Sequence, residues 1–126
     1  MSGLVSARVG FAVLAHVVVA VAMFIPMPSS GGSPSIPHLD KLVHVACWAL
    51  IAFATWWVWS GSRARRFAFT VGLGALFGVA VELVQGLTPH RGADVWDALA
   101  DILGASLGAA MAALVERASL NKGAPT

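Results

Sequence analysis

Apolar residues in this chain run in blocks. A helix needs about 20 apolar residues to cross the hydrocarbon core of a bilayer, and four blocks reach or approach that length. They cover residues 9–25, broken only by His16; 42–59, with His44 near the start; 67–87, with Glu82 and Gln85 near the end; and 95–115, with Asp97 and Asp101 near the start. Between them lie a Pro-, Gly- and Ser-rich loop at 26–37 (PMPSSGGSPSIP), a short basic turn at 60–66 (SGSRARR) and a turn at 88–92 (TPHRG). The tail after Glu116 is polar and expected to fray. No internal repeat interrupts this plan. The pattern predicts an all-α membrane protein, a bundle of four transmembrane helices forming a single domain over residues 1–126.

Composition agrees. Hydrophobic residues make up 58% of the chain and charged residues 11%, against about 25% charged in a soluble globular domain. The net charge of +2 does not point to nucleic acid, because the eight Lys and Arg are scattered between apolar blocks and form no basic face. Cys47 is the only cysteine, so no internal disulfide can form. The first block is longer than the usual signal-peptide core of about 7–15 residues, and the small-residue stretch after it has no Ala-x-Ala, so it is read as a span.

The basic residues also orient the bundle. Arg8, Arg63, Arg65, Arg66, Arg117 and Lys122 fall at one end, against Lys41 and Arg91 at the other. Positive charge concentrates on the cytoplasmic side, which places both termini there and makes this a multi-pass protein of the cytoplasmic (inner) membrane. Trp56, Trp57 and Trp59 are then expected at the inner interface and Trp96 at the outer one. Gly74 and Gly78 form one GxxxG pair and Gly104 and Gly108 another, so the third and fourth spans are expected to pack as an antiparallel hairpin through these faces.

The ionisable residues carry the chemistry. Five of the six acidic residues fall at the outer end, with Lys41, His44, His90 and Arg91. Glu82 lies about five residues inside its span, and an acidic group deep in a bilayer costs roughly 2.5–3.5 kcal/mol. Such a group usually faces the bundle interior and marks a site or a proton path; helix packing through a hydrogen bond is the plainer alternative. Gln85 shares its face. Asp94 suits a helix cap, and Asp97 suits either a capping box or a site. Asp101, two turns in, is not explained by capping. Asp40 suits a cap, whereas His44 is inside the membrane and needs a partner such as Glu82 or Asp101. Lys41 can snorkel to the interface. Arg91 is an ion-pair partner for the carboxylates or a ligand for phosphate or carboxylate. His16 is read as a packing residue with a backbone hydrogen bond. One histidine with several carboxylates is a donor set a divalent metal can use. However, no HExxH, Cys pair or His pair at helical spacing is present, so neither a metal nor another cofactor is expected. No G-x-S-x-G and no phosphate-cradling glycine loop appears.

Three elements then stand in order: Asp40-Lys41-x-x-His44 opening one span, Glu82-x-x-Gln85 ending the next, and Arg91-x-x-Asp94-x-x-Asp97-x-x-x-Asp101-x-x-Gly104-x-x-x-Gly108 entering the last. Over residues 38–115 the chain resembles the VanZ-like family of bacterial integral membrane proteins. Asp101 departs from the Asn common there, which would make this site more acidic, and Trp48 stands where many members carry Tyr or Phe. The resemblance implies a small inner-membrane protein of a family whose namesake is associated with low-level teicoplanin resistance.

Three functions compete. The first is an envelope protein that binds a lipid headgroup, cell-wall precursor or glycopeptide through Asp40, His44, Glu82, Gln85, Arg91, Asp97 and Asp101. The second is a membrane-embedded hydrolase or transferase acting on a lipid or phosphorylated headgroup, with Glu82 or Asp101 as general base, His44 as acid and Arg91 as anion clamp. The third is a small transporter or flippase, for which four helices require a homo-oligomer. In each, the bilayer itself is a partner.

Overall fold

The computed structural model describes residues 2–24, 38–87 and 94–122. Four helices follow in order: α1 (Ser2–Phe24), α2 (Leu39–Trp56), α3 (Arg63–Gly86) and α4 (Val95–Lys122). Each is long and apolar enough to cross a membrane. The protein is a four-helix, multi-pass membrane protein, as the apolar blocks predict.

Side chains are distributed for lipid. Large apolar residues such as Leu76, Leu83, Leu103, Met111 and Leu114 point outward, while Ala52, Ala54, Ala105, Ala109 and Ala112 are fully buried. Leucine gains little by leaving lipid for a protein interior, so helices associate by bringing small residues, and hence backbones, together. The most extensive contact is between α2 and α4; α3 packs next on α4, and α1 packs mainly on α2.

The glycine pairs explain this order and correct one expectation. A Cβ on Gly74 would stand 2.7 Å from the Ala105 Cβ, and one on Gly78 would stand 2.7 Å from Asp101 Oδ2, so this pair does seat α3 on α4. The Gly104 and Gly108 pair faces elsewhere. A Cβ there would collide with the backbone carbonyls of Val45 and Ala49 on α2. The two pairs thus bring α4 against two different neighbours.

Helix ends differ from the block boundaries in physically sensible ways. Helix α2 starts at Leu39, because the polar Asp40 and Lys41 are helical, and it ends at Trp56, with Val58 and Trp59 beyond it. Helix α4 continues to Lys122 instead of fraying after Glu116, because residues 116–122 keep good helix formers without a Gly or Pro. The loop at 26–37 and the 88–92 turn, with His90 and Arg91, lie outside the described residues.

Candidate functional site

Helix α4 starts with a shared cap. Asp94 Oδ1 accepts from the Trp96 N–H at 2.8 Å, as an N-cap residue should. In a capping box the side chain at position 97 would accept the Asp94 N–H. Glu82 from α3 takes that N–H instead, through Oε2 at 2.8 Å. Asp97 is thereby freed and accepts from Lys41 Nζ at 2.9 Å.

Lys41 is the hub of this outer layer. Its ammonium reaches Asp94 at 2.9 Å, Asp97 at 2.9 Å and Asp40 at 3.1 Å. It does not simply snorkel to water. The Asp94 carboxyl, just outside the α4 span, is held below the usual carboxylate range, chiefly by the hydrogen bond from Lys41. Asp40 is the most exposed member and does not cap α2, whose N-cap residue, His38, makes no side-chain cap bond.

Beneath this layer lies a buried one. His44 Nδ1 meets Asp101 Oδ1 at 2.7 Å. When Asp101 is ionised its carboxylate can only accept, and Nδ1 then carries the proton. His44 Nε2 lies 4.0 Å from Asp97 Oδ2. Asp101 is 0% exposed, Glu82 5% and His44 7%. His44, Glu82 and Asp101 each present a ligand atom, and the three atoms lie within 4.8 Å of one another. Asp101 Oδ2 and Glu82 Oε1 are buried without a hydrogen-bond partner. The arrangement can hold a cation, accept from a donor-rich group, or move a proton through His44.

Of the residues singled out by sequence, His44, Glu82, Asp97 and Asp101 come together, with Asp40 at the entrance. Gln85 is drawn elsewhere: its Nε2 donates to the Met23 carbonyl at 2.8 Å, close to the end of α1. Arg91 lies outside the described residues. His16 Nδ1 sits 2.7 Å from the Ala12 carbonyl, the packing role expected of it.

A second polar cluster, at the opposite end, was not foreseen. Arg66 donates to the Trp56 carbonyl at 2.7 Å, pairs with Glu116 and lies 4.3 Å over the Trp56 ring. Arg63 adds a 3.2 Å contact to Glu116. Trp56 is therefore fully buried and not an interfacial anchor. Trp59 is exposed and stacks on Phe69. The available signal was charge: Glu116 is the one acidic residue at the end that holds Arg63 and Arg66.

These features define a class, a small multi-pass membrane protein with a buried carboxylate–imidazole site between three helices at one end. The chain belongs to the VanZ/LLP1 family, whose profile matches residues 11–116. It is 31% identical over 88 residues to an uncharacterized protein of Schizosaccharomyces pombe, covering 69% of this chain and 54% of that relative. The chain thus spans about half the length of the curated relative it matches. No solved structure matches it.

Proposed function

We propose that the carboxylate–imidazole end faces outward in the cytoplasmic membrane and binds the headgroup of a lipid-linked or cell-wall-related ligand. The observation that carries this reading is a juxtaposition. An almost wholly apolar groove of about 470 Å³ runs between α2 and α4, lined by Leu42, Val45, Trp96, Leu99 and Leu103, and Lys41 belongs to both the groove and the polar layer. A chain-bearing ligand in the groove would bring its headgroup to the carboxylates. The positive-inside bias supports the orientation, with both termini cytoplasmic. Membership of the VanZ/LLP1 family extends the reading to teicoplanin-type glycopeptide resistance.

Native mass spectrometry of the protein from nanodiscs containing a polyprenyl phosphate tests the reading. One lipid retained per chain, and lost on Glu82→Gln and His44→Ala, is the expected result; no retained lipid in the wild type sinks it. Topology is a separate check. In a Cys47→Ala background, an impermeant thiol reagent applied from outside should label Gly92→Cys and miss Ser62→Cys.

A second reading, an enzyme acting on such a headgroup, draws on the 2.7 Å His44–Asp101 pair. A carboxylate that orients an imidazole is a common device for general acid–base work. It assigns His44 as the acid, oriented by Asp101, and Glu82 as the general base. Under this reading, Glu82→Gln protein keeps the lipid and loses turnover, which separates it from the first.

A further inference from the structure

Helix α2 supplies His44, α3 supplies Glu82 and α4 supplies Asp101, and each is more than nine-tenths buried. Two features point to a missing occupant. Asp101 Oδ2 and Glu82 Oε1 have no hydrogen-bond partner. The nearest ammonium, Lys41, is already bonded to Asp40, Asp94 and Asp97 in the layer above. Among the described residues, only His44 and the Asp94 N–H on Glu82 Oε2 bond to the two buried carboxylates. Gly78 bears on this as well, because a Cβ there would press on Asp101 Oδ2. The glycine makes room for the Asp101 side chain against α3.

We propose that His44, Glu82 and Asp101 form a binding site for one divalent transition-metal cation. The inference rests on the reading that this end of the bundle is the functional one, and it names the cofactor that would work there. One doubly charged ion neutralises two carboxylates, where an unfilled site would require protons. The donor set also selects the ion. Calcium and magnesium favour all-oxygen surroundings and high or strictly octahedral coordination, whereas one imidazole with two carboxylates suits zinc, cobalt, manganese or ferrous iron. With metal–ligand bonds of about 2.0 Å, neighbouring donors in a tetrahedral site lie roughly 3.3 Å apart. Donor atoms already within 4.8 Å of one another need only side-chain rotation to close on the ion. Three protein ligands leave coordination positions open to water or to an oxygen of a bound headgroup, as in catalytic zinc sites. Asp97, 4.0 Å from His44 Nε2, stands at the rim.

Cobalt(II) is a suitable probe because its visible d–d bands report coordination. Metal-free protein in detergent is titrated with cobalt chloride and followed by absorbance, with zinc competition as a second measure. The expected result is one cobalt per chain, displaced by zinc, with affinity at least about tenfold weaker in Glu82→Gln and in Asp101→Asn. These near-isosteric variants are checked by circular dichroism. If either fails to fold, wild-type stoichiometry still decides the matter, because a wild type that takes up no cobalt or zinc overturns the proposal. Undiminished binding in both folded variants overturns it too. So does a near-ultraviolet thiolate-to-cobalt band, which would place the ion on Cys47. The lipid assay on metal-free protein stands apart. Lipid binding without metal uptake removes this inference alone, and metal uptake without lipid binding removes the ligand reading alone.

Discussion

The two ends of the bundle both bury charge, and they do so in opposite ways. At one end Arg63 and Arg66 meet Glu116, and Arg66 also closes the Trp56 carbonyl and covers the Trp56 ring. Among the described residues, the atoms left unpaired there include the N–H groups Arg66 Nε and Trp56 Nε1 and the hydroxyls of Thr55 and Thr70, and no carboxylate oxygen. At the other end five carboxylates, Asp40, Glu82, Asp94, Asp97 and Asp101, meet, among the described residues, the Lys41 ammonium and the His44 imidazole. The unpaired atoms there include two carboxylate oxygens, Glu82 Oε1 and Asp101 Oδ2. The first end is a closed clamp, in which Glu116 answers Arg63 and Arg66 directly. The second holds an excess of carboxylate that the described residues do not answer, and such an excess is expected where something else binds.

The largest expected effect removes the frame on which both ends depend. Gly108→Leu would drive a side chain into the Ala49 carbonyl of α2. Overpacking usually costs about 1–3 kcal/mol, and here the obstacle is backbone, so a loss of about 3 kcal/mol or more is expected. Both ends should fail together, seen as loss of a monodisperse, cooperatively melting species in detergent.

Arg66→Met comes next and should separate the ends. It keeps most of the stem but leaves Glu116 with only the exposed Arg63 and strips the Trp56 carbonyl of its donor. Removing one partner of a largely buried pair costs several kcal/mol, reduced here by the partial exposure of Glu116, so about 2–4 kcal/mol is expected in a denaturant titration. Surviving folded protein should bind lipid or cobalt as the wild type does. A folded variant that had lost binding would mean that the clamp and the site are one coupled system.

Asp101→Asn should do the reverse. The amide fits the same space and removes an ionisable group from a fully buried position. Stability is expected within about 1 kcal/mol of the wild type, or higher, because a buried charge is rarely a net stabiliser. Binding should fall sharply. Stability lost with binding intact would place Asp101 in the frame and not in the site.

The contrast also shows what a sequence can display. Spans are legible because a bilayer demands long apolar blocks, and Glu82, His44 and Asp101 stand out because each breaks such a block. Their partnership is not legible. It depends on how α2, α3 and α4 are rotated about their axes, and helices that are apolar on nearly every face carry little periodicity to set that rotation. The same gap hid the turn of Gly104 and Gly108 toward α2, the seating of Gln85 on Met23 and the burial of Trp56. A metal motif reads as spacing only when its donors share one helix, and here each helix brings one.

The smallest effect should come from Lys41, and its sign matters more than its size. Lys41 is partly exposed, and its pairs with Asp40, Asp94 and Asp97 lie near water, so Lys41→Met should leave stability almost unchanged. Its electrostatic consequence travels inward. The ammonium offsets part of the negative charge directly above His44 and Asp101, and Asp97 is the carboxylate that both layers share. Without the ammonium, Asp97 turns from an occupied acceptor into a free one at the rim of the buried site. Cobalt affinity should therefore rise severalfold, most clearly at low ionic strength where charges are least screened. Were affinity to fall instead, Lys41 would be acting through the cap of α4, by holding Asp94 and Asp97 in place for Glu82. The open end would then owe its geometry to the same kind of interlocking pairs that hold the closed one.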